Sequence, residues 1–258
     1  MYKTKSGRQI RAGTMAVIFL LLFFFVLNGA DGSHIVGGRD SAPHSRPYMA
    51  SLQVGGRHNC GGALVKENFV LTAAHCQIHG PYTVVLGVNS LSANESTMQE
   101  FRTVRSIPHP GYDGHANDIM LLKLNGRAQL TAAVQLISLK TSRVETGSRC
   151  LATGWGDIAD DGSKPIRLQE VNVTTLSLQT CRRRWGAVPI TTSMVCSVGV
   201  RGFQGPCRGD SGGPLVCDGA AAGMVSFGGR QCGNPANPVV YSSVPFFGDW
   251  IREVLNSN

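Results

Sequence analysis

Asn117-Asp118-Ile119-Met120-Leu121-Leu122 sets an acid directly before a run too apolar to lie at a surface. Such a run, short and led in by turn-forming residues, reads as a buried strand. Similar stretches recur on both sides of it, at 48–54, 63–72, 82–86, 119–124, 213–216 and 223–227, each cut off by Gly, Pro, Asn or Ser. Several are rich in β-branched residues, and none sustains a helical period. The 32 glycines suit the tight turns that join many short strands. This pattern favours a barrel or sandwich. The C-terminus differs: Val244, Phe247, Trp250, Ile251 and Leu255 recur at steps of three and four, the mark of a helix docked by one apolar face. The polar stretch 139–147, with Lys140, Arg143 and Glu145, reads as the connection between two barrels that share a core and a cleft.

At 258 residues, with 42% apolar and 16% charged residues, the chain is globular and not disordered. Its first residues stand apart. Lys3, Lys5, Arg8 and Arg11 precede an unbroken apolar run at 16–27, and the small residues Gly29, Ala30 and Gly32 follow. That order is a secretory signal peptide. Twelve apolar residues fall short of the roughly 20 that cross a bilayer, and no later stretch is long enough, so no membrane span is expected. Residues 1–30 read as the signal peptide, 31–34 as a short propeptide and 35–258 as one domain. Without residues 1–34 the chain carries 20 basic and 15 acidic residues, a net +5. This balance favours sulfated glycans or acidic surfaces and is no nucleic-acid signature. All eight cysteines lie in the mature part, an even count that reads as disulfides in an exported chain. Tight CxxC pairs, which a zinc site would want, are missing from the sequence. The pairing is open at this point.

Three motifs carry chemistry. Leu71-Thr72-Ala73-Ala74-His75-Cys76 ends an apolar strand on a histidine. Asp118 opens the buried strand. Gly209-Asp210-Ser211-Gly212-Gly213-Pro214 places a serine among small residues. Each alone has a bland reading as a turn or a solvated side chain. Together they supply what acyl transfer needs. A serine hydroxyl is a weak nucleophile and requires an imidazole to take its proton. The imidazole requires a carboxylate to fix its tautomer, and the glycines free backbone N–H groups to hold an oxyanion.

In this order and with these flanks the motifs closely resemble the chymotrypsin-like, trypsin-fold serine proteases, from residue 35 to the C-terminal helix. The resemblance implies an all-β fold of two six-stranded antiparallel β-barrels, with the active site in the cleft between them and a C-terminal helix. It implies His75 as general base, Asp118 as its orienting acid and Ser211 as nucleophile. The N–H groups of Gly209 and Ser211 would form the oxyanion hole. Ile35-Val36-Gly37-Gly38 resembles the family's mature N-terminus, whose freed Ile35 ammonium would pair with Asp210. The family also implies disulfides Cys60–Cys76, Cys150–Cys217, Cys181–Cys196 and Cys207–Cys232.

Specificity follows from the same resemblance. The pocket-floor position falls on Gly205, the strand beside it on Ser226, the wall on Gly228 and the second floor position on Val239. An absent acid at 205 argues against an Arg or Lys preference, and Val239 should make the slot shallow and apolar. The expected residue before the scissile bond is therefore a medium aliphatic one. Pro47–Cys60, 168–175, 200–205 and 215–227 resemble the neutrophil granule group (elastase, myeloblastin, azurocidin), which implies an exported or granule-stored enzyme. His34 precedes Ile35, so trypsin-type activation is not expected. Asn94-Glu95-Ser96 and Asn172-Val173-Thr174 are N-glycosylation sequons. No metal, calcium included, and no cofactor is expected. Protein or peptide substrates, serpin-type inhibitors and a monomeric state are. Arg182-Arg183-Arg184 reads as a solvated surface run or as a contact for sulfated glycans or granule matrix. The rival readings are a catalytically weak member acting as a glycan-binding or antimicrobial protein, and an enzyme restricted to small esters.

Overall fold

A computed structural model describes residues 1–2 and 35–257. The segment read as signal peptide and propeptide lies outside the described residues. Thirteen strands and two α-helices follow in order: β1 Arg39–Asp40, β2 Met49–Val54, β3 Arg57–Lys66, β4 Phe69–Thr72, β5 Thr83–Leu86, β6 Gln99–Pro108 and β7 Met120–Leu124. Next come β8 Arg149–Gly154, β9 Gln169–Leu176, α1 Leu178–Trp185, β10 Met194–Gly199, β11 Pro214–Cys217, β12 Ala220–Phe227, β13 Val239–Ser243 and α2 Gly248–Ser257.

Six strands close the first barrel in the order β2-β3-β4-β7-β6-β5, with β5 returning to β2. The second ring runs β8-β9-β10-β13-β12-β11 and closes because β8 pairs with both β9 and β11; β1 adds to the outside of β9. All of these pairings are antiparallel. Two six-stranded antiparallel barrels and a C-terminal helix are the architecture that the resemblance implies.

The apolar runs have a physical explanation in alternation. Along β7, Met120, Leu122 and Leu124 fill the interior of the first barrel with Leu64 and Val70. The intervening Leu121, together with Ile119, Phe69 and Leu71, points the other way. There it meets Met224, Val244, Phe247 and Ile251, which come from the second barrel and the C-terminal segment. A strand buried on both faces reads as continuous hydrophobicity.

The stretch 63–72 is not one strand. It is the end of β3, a turn at Glu67-Asn68 and all of β4. Val244 and Phe247 belong to the apolar stripe but precede α2, and both are buried. Helix α1 was not legible: it spans 8 residues, is capped by Ser177 Oγ accepting the Thr180 N–H at 3.1 Å, and buries only Cys181. The three arginines occupy its last turn, where cations complement the helix dipole. Arg182 and Arg184 also donate to the Ile190 and Pro235 carbonyls, each at 2.7 Å. Four disulfides join Cys60 to Cys76, Cys150 to Cys217, Cys181 to Cys196 and Cys207 to Cys232. Among the described residues no helix is long and apolar enough to cross a membrane.

Candidate active site

His75 stands on a single 3-10 turn, Ala74–Cys76, directly after β4. Tyr82 fixes that turn by donating its hydroxyl to the Cys76 carbonyl at 2.5 Å, and the Cys60–Cys76 bridge ties it to β3. Asp118 enters just before β7 from Asn117, whose φ of +58° is a left-handed conformation that Asn tolerates. The Asn117 side-chain amide donates to the Gly111 carbonyl at 2.8 Å and pins the turn.

The two side chains meet. His75 Nδ1 lies 2.7 Å from Asp118 Oδ2, and the His75 backbone N–H donates to Asp118 Oδ1 at 2.8 Å. Ser226 Oγ, from β12 in the other barrel, donates to Asp118 Oδ2 at 2.6 Å. Ser242 Oγ, from β13, donates to the Asp118 carbonyl at 2.5 Å. Burial raises the Asp118 carboxyl, but the His75 hydrogen bond and charge, the Ser226 hydroxyl and the His75 backbone N–H together outweigh it. The carboxyl is held below its ordinary range, so it is ionised at neutral pH. An ionised acceptor on Nδ1 leaves Nε2 as the ring's free base.

Ser226 also lines a cavity of about 440 Å³ that contains Ser211. Ser226 thus links the cavity that holds Ser211 to the His75–Asp118 pair. The Ser211 loop is sewn to both barrels: the Gly61 N–H donates to the Ser211 carbonyl at 2.8 Å, and the Gly212 N–H donates to the Val225 carbonyl at 2.8 Å. Gly209 has φ of +94°, and a Cβ there would stand 3.1 Å from Gly156 Cα, so a side chain is excluded both by conformation and by space.

The pocket differs in detail from the sequence expectation. Gly228 and Val239 line the cavity, but Gly205 lies buried behind them. Val239 Cγ2 stands 3.5 Å from where a Cβ on Gly205 would be and 3.8 Å from where one on Gly228 would be. The valine methyl thus occupies the space that the two glycines leave, and it lines the cavity.

Asp210 is 1% exposed, wedged against Gly154 and Gly156, and accepts the Gly156 and Cys207 N–H groups at 2.8 Å each. Burial pushes its carboxyl up to about 6 against these bonds and the Lys164 charge. Ile35 is fully buried in the core of the second barrel, among Ala152, Val171, Leu215 and Tyr241. Tyr241 also feels the charge of Asp210, so the two ends of the expected pair share a neighbour. Val36 and Gly37 are clamped beside them: the Gly205 N–H donates to the Val36 carbonyl at 3.1 Å, and Gln204 Nε2 to that of Gly37 at 2.5 Å.

One group escaped sequence reasoning. His58 bridges Ser51 Oγ, 2.8 Å from its Nδ1, and the Gly209 carbonyl, 2.9 Å from its Nε2. Burial lowers its pKa to about 4, so the ring is neutral at physiological pH. A lone histidine two residues before a cysteine carries no sequence signal for this role. Lys164, paired with Asp157, also approaches Gly209, its Nζ 3.4 Å from where a Cβ there would be. Among the described residues, two groups of three potential metal ligands gather, Cys60, His75 and Cys76, and Asp160, Cys207 and Cys232. Their sulfurs are closed in disulfides and offer no thiolate, so neither makes a metal centre.

Asn94 is exposed in a loop, and Asn172 is exposed in the middle of β9.

Comparison with known proteins agrees with this geometry. A family model described as Trypsin matches residues 35–251. Serine protease 57 of Rattus norvegicus is 42% identical over 99% of this chain and 94% of its own length. Kallikrein-8 of Homo sapiens is 38% identical over 92% of this chain and 95% of its own. The structure of mouse neuropsin, a serine protease, superposes with a TM-score of 0.81 at 38% identity, covering 86% of this chain and all of that one. These relatives are not drawn specifically from the neutrophil granule group. The match over residues 35–251, across two closed barrels, makes this protein a member of the trypsin family of serine proteases.

Proposed function

We propose that the chain is an exported endopeptidase that cleaves peptide bonds through an acyl-enzyme on Ser211. The observation that carries this is the His75–Asp118 pair, joined through Ser226 to the cavity that holds Ser211. Ser211 Oγ attacks the scissile carbonyl and passes its proton to His75 Nε2. Asp118 stabilises the imidazolium that forms. The new oxyanion takes hydrogen bonds from the Gly209 and Ser211 N–H groups, a contribution worth about 3–4 kcal/mol per donor in related chemistry. His75 then gives its proton to the leaving amine. Water, deprotonated by His75, releases the acyl group and restores the serine.

The apolar lining that Val239 gives this cavity supports a medium aliphatic residue before the scissile bond. One methylene changes such binding by only about 1–3 kcal/mol, so the preference is broad. Residues 1–30 act as signal peptide and 31–34 as propeptide, and release at Ile35 lets its ammonium pair with Asp210. Glycans on Asn94 and Asn172 would meet no obstruction, since both side chains are exposed. Storage in granules, serpin-type inhibition, glycan binding through the basic surface and a monomeric state complete the reading.

A fluorophosphonate probe tests the chemistry. The chain starting at Ile35 becomes labelled, and Ser211→Ala abolishes the label. An unlabelled wild-type chain would return the protein to a binding or antimicrobial role. A peptide library then reads the pocket, and a strict Arg or Lys preference overturns the Val239 argument.

A further inference from the structure

Two arginines stand at the mouth of the cavity that contains Ser211. Arg208 and Arg230 both line it, and both are exposed. Arg208 donates to a backbone carbonyl, that of Asp160, at 3.2 Å. Arg230 makes no hydrogen bond or ion pair among the described residues. Asp160, the acid beside the Cys207–Cys232 bridge, already accepts the Cys232 N–H through Oδ1 at 2.9 Å. The cation beside Gly209, Lys164, is neutralised by Asp157. Two guanidinium groups against one occupied carboxylate leave the rim positive. The floor below, with Val239, Pro206 and the Cys207–Cys232 bridge, carries no charge.

Charge and depth therefore divide the cavity between two substrate positions. A carboxylate pushed to the floor would be desolvated with no partner, which is strongly unfavourable for a charged group. A carboxylate at the rim would keep its water and gain two cations. An extended peptide decides which residue reaches each level. Side chains alternate along it, so the residue before the scissile bond and the one two places earlier share a face, about 7 Å apart. The first fills the apolar floor. The second stays at the level of the exposed rim, where Arg208 and Arg230 line the cavity.

We propose that Arg208 and Arg230 select substrates with Glu or Asp two residues before the aliphatic one at the cleaved bond. The selection rests on the endopeptidase reading above and adds a substrate class to it: acidic segments of proteins, cut after an aliphatic residue. Each exposed ion pair contributes little, and the contribution is screened by salt. The expected discrimination is therefore modest and ionic-strength dependent.

The test uses three fluorogenic peptides identical but for Glu, Gln or Lys at the outer position, with the best-cleaved residue from the library at the inner one. Wild-type enzyme cleaves the Glu peptide with a kcat/KM about threefold to tenfold above that of the Gln peptide, and the Lys peptide falls below both. The ratio shrinks towards one in about 0.5 M salt. The double variant Arg208→Gln/Arg230→Gln also brings it to about one, whereas Arg183→Gln, on the exposed end of α1, preserves it. The ratio is internal to each enzyme, so a general loss of activity in the double variant does not disturb it. Equal cleavage of Glu and Gln peptides by the wild type, or a ratio that survives in the double variant, overturns the proposal. If no peptide is cut and the fluorophosphonate leaves no label, it is the endopeptidase reading that fails.

Discussion

His58 and Asp210 flank the Gly209 peptide from two sides, and their titrations oppose each other. The Asp210 carboxyl is raised from 3.8 to about 6 in the folded, uncleaved chain. Its folded form holds the proton more tightly, so stability falls as pH rises from about 4 to 6 and stays lower above, by on the order of 3 kcal/mol. The His58 ring is lowered from 6.5 to about 4. Its folded form resists the proton, so its contribution is complete above 6.5 and is lost as pH falls towards 4. The two slopes share one window and largely cancel. Relative to the wild-type uncleaved chain, Asp210→Asn should lose stability faster on acidification between pH 6 and 4. His58→Ala should instead gain towards acid over the same range. Urea titrations at pH 4, 5 and 6 read both differences. Parallel curves for the three proteins would mean that neither group is as buried in solution as its position in the fold demands. None of this could be read from the sequence. His58 reaches Gly209 across 151 positions of chain, and no local pattern announces such a contact.

The strands that the sequence made legible are those with no solvent face. Ile119 to Leu122 is apolar on both sides because one side fills the first barrel and the other carries the second barrel and α2. Among the strands it hid, β13 is fully buried but closes on two serines, and others are polar on one side. β6, for instance, exposes Glu100, Arg102, Val104 and Arg105, and its alternation is broken by a register shift between Thr103 and Arg105. Helix α1 failed for a similar reason, since it buries one cysteine and shows arginines to solvent. The turn between β3 and β4 passed unnoticed because Glu67 and Asn68 interrupt apolar sequence for only two positions. The candidate site was legible to the extent that its parts sit in local motifs, whereas Ser226 as a partner of Asp118 needed the second barrel in place. A two-faced β7 has a measurable consequence. In a strand with one wet face, truncating neighbouring leucines costs stability at alternate positions only. Here Leu121→Ala and Leu122→Ala should each cost about 2–5 kcal/mol. Urea midpoints give the answer, and a near-neutral value for either leucine would contradict burial on that face.

Across the whole molecule the cleft is assembled from pieces that have no reason to stay in place unaided. The segment from Gly205 to Gly213 lies between β10 and β11, and its order depends on what is packed beneath it. Ile35 is buried in that underlying core, and Gln204 and Gly205 grip the two residues that follow. On the proposed activation, a chain cleaved before Ile35 would bring its ammonium to the Asp210 carboxyl, which burial otherwise raises to about 6. Removing one member of a buried pair costs about 3–5 kcal/mol, so a single extra residue should matter. A chain beginning at His34 should react with fluorophosphonate about 10²–10⁴-fold more slowly than one beginning at Ile35, by conversion of that cost. The pH profile carries the same signature with a definite sign. A free α-amino group titrates near 8, and pairing with Asp210 raises that value. The pair's contribution is therefore complete below about pH 8 and is lost as pH climbs through the raised value, so labelling by the Ile35 chain should decline on the alkaline side while the slower His34 chain stays flat there. Equal labelling rates for the two chains would show that the Ser211 loop holds its shape without the freed N-terminus.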